Sequence, residues 1–189
     1  TLLDLIDESK GQIGEEGRST GVREKITAIK REWLGRWRKY LENDDEPINP
    51  YRVIHELNTN LDLENSVVTH DAGAPRDQLV PFYWATTPHS YIGWGKTTHL
   101  GFGIPMMIGV KQAMPERFCL NVMGDAAFGM SGLDIETSAR AGIPITTVLL
   151  NNGGMATYPD SLFPTAFKNF GVSLMQGDYA GLAIAMGAE

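Results

Sequence analysis

The sequence predicts an α/β domain with a mainly parallel sheet flanked by helices, preceded by a linker helix. Three observations lead there. Helix-type and strand-type segments alternate from residue 49 onward, the pattern of a parallel sheet with crossover helices. Residues 118–152 carry a complete strand–helix–strand unit. Residues 21–42, ahead of the alternation, place apolar side chains on one 3.6-residue period.

In chain order, residues 1–20 are acidic, rich in glycine and weakly patterned; they read as a loop or as the tail of a preceding unit. The helix at 21–42 has a stripe of Val22, Ile26, Ile29, Trp33, Trp37 and Tyr40. Such a stripe must cover another surface, and Trp33 and Trp37 are assigned to a domain interface. Glu42 to Pro47 reads as a linker, with a boundary near Pro47. Asn49-Pro50 then offers an N-cap and a first-turn proline for a helix carrying Val53, Ile54 and Leu57. Ser66–Thr69 is a short β-type run. Gly73-Ala74-Pro75 opens a helix through Leu79, and Ser90–Ile92 is a second short strand. Glycines 93, 95, 101, 103 and 109 form a cluster. Pro105 opens a helix through Met114.

The βαβ unit follows. Phe118–Met123 is a buried strand leading into Gly124-Asp125. Ser131, with Asp134 three positions on, resembles a capping box and predicts a helix over 131–141. Gly142 and Pro144 stop it, and Ile145–Leu150 is the second strand. A right-handed parallel crossover brings Asp125 and Asn152 to the carboxyl ends of strands, on one edge of the sheet. That edge is where open α/β sheets bind ligands. Val172–Met175 is a further candidate strand. Asp178 caps a last helix that the chain end cuts short.

Composition narrows the function. Net charge is −7, with 42% hydrophobic residues and a single cysteine. Half of the basic residues lie between Arg18 and Lys39, interrupted by Glu24 and Glu32, and read as a solvated helix face. The remainder is net negative and would repel a nucleic-acid backbone. Cys119 cannot form an internal bridge, so nothing argues for an oxidising compartment. No apolar run approaches a membrane span, and acids stand where a signal peptide needs bases. A cytoplasmic protein without nucleic-acid or membrane partners is expected. The chain starts at Thr1 rather than Met, which suggests a fragment or a processed chain.

The sheet edge has a definite chemistry. Asp125 offers a carboxylate and Asn152 an amide oxygen, and the Gly153-Gly154 turn offers carbonyls. Hard oxygens suit Mg²⁺ or Ca²⁺, and Mg²⁺ combines a few protein ligands with phosphate oxygens. Glycines let backbone N–H groups approach a phosphate. A metal-bridged diphosphate is one reading; the other is that Asp125 caps a turn and Asn151-Asn152 makes one. Gly95-Lys96-Thr97 looks like the end of a P-loop, but Ser90 stands where that motif needs glycine. Gly101-Phe102-Gly103 fails a dinucleotide fingerprint at Met106.

Two motifs together carry a resemblance. Gly124-Asp125-Ala126 is followed by Asn151-Asn152, with Asp125 and Asn152 twenty-seven apart, and Thr98 to Gly109 precedes them at fitting spacing. The pair resembles the C-terminal diphosphate-binding (PP) domain of thiamin diphosphate-dependent enzymes, the acetolactate synthase-like and 2-oxo acid decarboxylase family. The resemblance covers about residues 49–189, leaving 1–48 as the end of a middle domain and its connecting helix, and it implies a truncated PP domain in the thiamin diphosphate-binding fold. It implies Mg²⁺ on Asp125, Asn152 and the Gly154 carbonyl. It implies that Gly124, Ala126, Ala127 and Met155 line the diphosphate, that Leu100 supports the bent cofactor, and that the Thr98 carbonyl meets the aminopyrimidine. Gly73 and Ala74 align with a second diphosphate loop, where Arg76 departs from the family pattern. The segment after Asn152 is shorter and richer in glycine than in acetolactate synthases.

The implied activity is decarboxylation or carboligation of a 2-oxo acid, by a lyase or transferase. The implied partners are that small-molecule substrate, the pyrimidine-binding domain of the same enzyme, and further copies in a homodimer or homotetramer. The activating glutamate of the family belongs to that other domain, so no catalytic residue is assigned to this chain. A non-catalytic diphosphate-binding module is the alternative for the isolated chain. Among other residues, His99 sits nearest the inferred site and His55 reads as structural. Cys119 reads as an inert core thiol, and Met106, Met107 and Met114 as packing. Tyr158 and Phe163 shape a substrate pocket or pack a loop.

Overall fold

The computed structural model describes residues 1–13, 19–93, 95, 97, 99–155, 159–171 and 174–189. Among the described residues the strands are β1 (Ser66–His70), β2 (Tyr91–Ile92), β3 (Phe118–Gly124) and β4 (Thr146–Leu150). They form one sheet in the order β2-β1-β3-β4, and every pairing is parallel. Val68 lies opposite Leu120, and Val122 opposite Val148.

Side chains alternate between the two faces of a strand, and the core divides accordingly. Val68, Leu120 and Val122 face one layer, with Ile54 of α3 (Pro50–Asn60), Leu79 of α4 (Ala74–Leu79), Phe82 and Tyr83. Val67 and Cys119 face the other, against Met107 and Val110 of α5 (Gly103–Ala113). Met123 continues that face against Ile104, Ala127 and Phe128. Both faces are covered, so β1 is buried along its whole length, as central parallel strands are.

Several local expectations hold. The Asn49 side chain accepts from Tyr51 N at 3.0 Å and caps α3, with Pro50 in the first turn. Asp178 accepts from Gly181 N at 2.8 Å and caps α9 (Tyr179–Ala185). Gly142 ends α7 (Asp134–Ala141) in the left-handed region at φ 63°.

Others are corrected. Residues 2–13 form a helix, α1 (Leu2–Ile13), where a loop was expected. The Thr1 hydroxyl donates to Asp4 Oδ2 at 2.8 Å across its first turn. Its Leu2, Leu3, Leu5 and Ile6 are all exposed, so no single buried stripe disciplines the pattern. Next, α2 (Ser19–Leu41) follows the expected helix, but its stripe is split. Trp33 stacks on Phe82 at 4.7 Å between ring centroids, and Trp37 lies 5.0 Å from Tyr51, so that half packs on the α3–α4 layer. Val22, Ile26 and Ile29 are exposed.

The expected helix 131–141 is in fact two. The first, α6, spans Asp125–Ser131 and the second is α7. Ser131 therefore ends a helix and does not cap one. The break falls at Gly132, where an added Cβ would meet Phe128 Cε1 at 2.7 Å and the Phe128 carbonyl oxygen at 2.8 Å. Helix α5 starts at Gly103, two residues before Pro105, which still lies in the first turn where no intrahelical N–H bond is needed. The last helix closes at Ala185, before the chain end, with Gly187 at φ 98°. In the candidate strand 172–175, Val172 and Ser173 lie outside the described residues, and Leu174 makes a single antiparallel bridge to Gly154. The short helix α8 (Pro164–Phe170) has no buried residue.

Candidate functional site

Three strands deliver the site. Asp71 follows β1, Asp125 follows β3, and Asn151-Asn152 follow β4. Gly124 is in register with Leu150 on the neighbouring strand, and paired strands run about 4.8 Å apart. Asp125 and the two asparagines thus leave adjacent strands side by side.

Asp125 is the first residue of α6 and is 1% exposed. Its Oδ1 accepts from Ala126 N at 2.8 Å. Its Oδ2 is buried and has no hydrogen-bond partner among the described residues. Leaving such an oxygen unsatisfied costs about 1–3 kcal/mol or more for a charged group, so the position calls for a cation or a donor. Asn151 Oδ1 accepts from Gly153 N at 3.1 Å, and Asn152 Oδ1 from Gly154 N at 3.3 Å. The asparagine turn is therefore real. Asn152 nonetheless stays exposed, with one bond on an oxygen that can accept two. Gly153 needs its left-handed φ of 68°, and its carbonyl accepts from Met175 N at 3.0 Å.

Gly124 has no such need. Its φ is −89°, and an added Cβ would come no closer than 3.9 Å to Pro75 Cγ and 4.0 Å to the Leu150 carbonyl oxygen. Neither backbone strain nor a neighbour in the chain requires glycine there. A glycine that nothing in the fold requires, directly before an unsatisfied carboxylate oxygen, fits a ligand that approaches the main chain. Among the described residues, no group of three or more His, Cys, Asp or Glu is placed to hold a metal ion. The donors are one carboxylate, one amide and main-chain carbonyls, a set that suits Mg²⁺ sharing its shell with phosphate oxygens.

Other expected residues border this edge. Gly73, at φ 82°, and Ala74 open α4, and Pro75 faces Gly124. Arg76 pairs with Asp77 at 2.7 Å. Leu100 is half-buried against the cluster of Ile104, Met123, Ala127 and Phe128. Ala127 is fully buried in that cluster, so only its main chain can face a ligand. Met155 is exposed beside the turn. Thr98 and Tyr158 lie outside the described residues. His99 is exposed, His55 half-buried on α3, and Phe163 exposed. Cys119 is buried, and burial pushes its thiol pKa up, as an inert thiol requires. Met107 is fully buried, with Met106 and Met114 packed beside it.

Two buried polar residues escaped the sequence reading. Asp71 is fully buried. Its Oδ1 accepts from Ala72 N at 2.7 Å and from Gly101 N at 3.0 Å, and its Oδ2 from Gly103 N at 2.8 Å. Asn121, also fully buried, donates from Nδ2 to Met123 Sδ at 3.1 Å. One signal was available for Asp71: an acid directly after a buried strand, just as Asp125 follows β3. His70, beside it, is buried, with Nδ1 3.0 Å from the Asp71 carbonyl oxygen.

Fold and site define a parallel α/β domain with a set of oxygen donors at the carboxyl ends of its strands. Residues 71–189 match the family model for the thiamine pyrophosphate enzyme, C-terminal TPP binding domain, and the chain belongs to that family. It is 30% identical over 197 residues to the mitochondrial acetolactate synthase catalytic subunit of Saccharomyces cerevisiae, covering 94% of this chain and 28% of that one. The mitochondrial acetolactate synthase of Schizosaccharomyces pombe is 34% identical over 122 residues, covering 62% of this chain and 18% of its own length. Sulfoacetaldehyde acetyltransferase of Castellaniella defragrans is 30% identical over 146 residues, covering 75% of this chain and 24% of its own. The chain thus spans between 18% and 28% of the length of these relatives. Residues 71–189 are a thiamin diphosphate-binding domain of this family, and the chain is similar to acetolactate synthases.

Proposed function

We propose that Asp125, Asn152 and the Gly154 carbonyl hold Mg²⁺, which in turn holds the diphosphate of thiamin diphosphate, in an enzyme that decarboxylates or carboligates a 2-oxo acid. The observation that carries the metal is the buried, unpartnered Asp125 Oδ2. A diphosphate beside a carboxylate, in a chain of net charge −7, needs a cation between the two anions. Gly124, Ala126 and Ala127 offer main chain to the diphosphate, with Gly73-Ala74 across from them. Leu100 presents an apolar surface to the cofactor from the turn before α5. When bound, the cofactor supplies an electron sink for breaking the bond between the carboxylate and carbonyl carbons. The chain's own part is to neutralise, bind and orient; activation of the cofactor is assigned to another domain.

The reaction is tested with the full-length enzyme on a panel of 2-oxo acids, scored for CO₂ and for coupled product. Release of CO₂ that depends on both cofactor and Mg²⁺ supports the reading; no turnover of any 2-oxo acid sinks it. A second reading, transfer of an acetyl group to an acceptor, is favoured by the similarity to sulfoacetaldehyde acetyltransferase. An acyl compound of the acceptor, formed from an aldehyde whose neighbouring carbon carries a group that leaves with the bonding pair so that no oxidant is needed, would select it.

A further inference from the structure

The buried carboxylate of Asp71 lies outside the donor set just described, yet it touches the part of the chain that carries Leu100. Both of its oxygens are engaged by the turn that ends at α5: Oδ1 by Gly101 N at 3.0 Å and Oδ2 by Gly103 N at 2.8 Å. The turn is thirty residues away in sequence, so these bonds pin a distant loop to the end of β1. Two further contacts fix its other sides. An added Cβ on Gly103 would stand 2.1 Å from Asn121 Oδ1 on β3, and one on Gly101 would stand 3.0 Å from Met130 Cβ on α6. The left-handed φ of 83° at Gly101 gives the turn its sharp reversal directly after Leu100. The turn is therefore seated on β1, β3 and α6, the helix that begins with Asp125.

We infer that Asp71 is a positioning residue that sets Leu100 relative to the Asp125 end of the site, resting on the reading of Leu100 as a cofactor-facing residue. Bonds from a carboxylate to N–H groups are stronger than neutral ones, and burial keeps water from competing for them. Two N–H groups of the turn on one fully buried side chain, itself fixed by Ala72 N, hold the turn to a single height. Aligning reacting groups is sensitive to displacements of an ångström, so loosening the turn should impair cofactor activation while Asp125 and Asn152, which Asp71 does not touch and which follow β3 and β4, stay in place.

The test uses the full-length enzyme with Asp71→Asn, a change of nearly equal volume that sets an NH₂ group against an N–H. Expected is Mg²⁺-dependent thiamin diphosphate binding within about threefold of wild type. Deuterium exchange at the thiazolium C2 of bound cofactor should slow at least roughly tenfold. Adding Leu100→Ala should slow exchange no further than Leu100→Ala does alone, because the two act through one element. Unchanged C2 exchange with only a lowered melting temperature would make Asp71 merely structural and overturn the inference, as would independent, additive losses. Should Asp71→Asn not fold, amide exchange of the wild type decides. Protected Gly101 and Gly103 N–H groups support the anchor, and exchange as fast as an open loop overturns it. A wild type that binds no cofactor would overturn the site reading itself, a result distinct from a wild type that binds while Asp71→Asn changes nothing.

Discussion

Replacing Gly103 by alanine sets two effects of opposite sign against each other. Gly103 opens α5 and has no left-handed φ, so helix propensity and reduced unfolded-state freedom favour alanine by about 0.4–1 kcal/mol. Packing opposes it. The new methyl carbon would lie 2.1, 2.5 and 2.6 Å from Oδ1, Cγ and Nδ2 of Asn121. These atoms cannot swing into solvent, because Asn121 is fully buried and its Nδ2 is engaged by Met123 Sδ. Overpacking of this kind costs about 1–3 kcal/mol, so the clash wins and the expected net loss is about 1–2 kcal/mol. At roughly 2–4 °C per kcal/mol for a domain of this size, the melting temperature should fall. Urea or thermal denaturation measures it, with Asn121→Ala and the double variant completing a cycle. In the Asn121→Ala background the Gly103→Ala change should become neutral or stabilising. A Gly103→Ala protein as stable as wild type would refute the close approach between the α5 start and β3.

Three further outcomes follow from other parts of the fold. Phe82→Ala removes the ring against which Trp33, Trp37 and Tyr51 pack; it should cost about 3–5 kcal/mol and shift tryptophan emission to longer wavelength as α2 loosens. Burial holds the His70 pKa below its ordinary value, so the unfolded chain binds the proton more readily than the folded one. His70 therefore contributes stability that is present above about pH 6.5 and is lost as pH falls through the folded pKa. Melting temperatures taken from pH 7.5 down to 5 should decline less steeply in His70→Gln than in wild type. Cys119 should resist a thiol reagent in the native protein and react stoichiometrically in denaturant, since burial both hides the thiol and raises its pKa; prompt native-state labelling would contradict its place in β3.

What the sequence showed, and what it hid, follows from the range of the forces involved. The strands at 66–70 and 118–124 were legible because burial on both faces writes an apolar run into the chain. The caps Asn49, Gly142 and Asp178 were legible because each bonds within a few residues. Asp125 and Asn152 were legible as a pair because one βαβ crossover places them on the same edge. Helix α1 was not, since its Leu2, Leu3, Leu5 and Ile6 are exposed and select no period. The division of 125–141 into two helices depends on the Phe128 ring and carbonyl against Gly132, which spacing does not encode. Asp71 was missed because its partners Gly101 and Gly103 lie thirty residues on. Asn121 hides in an otherwise apolar strand and gains its meaning only from Gly103 above it.

The central claim is that Asp125 brings a divalent cation to a diphosphate at the carboxyl end of β3. Calorimetric titration of thiamin diphosphate into the full-length protein, with and without Mg²⁺ and with Asp125→Ala beside wild type, tests it directly. The account predicts saturable binding that requires Mg²⁺ in the wild type and is lost in Asp125→Ala. Equal binding by the two proteins, or binding indifferent to Mg²⁺, would contradict it.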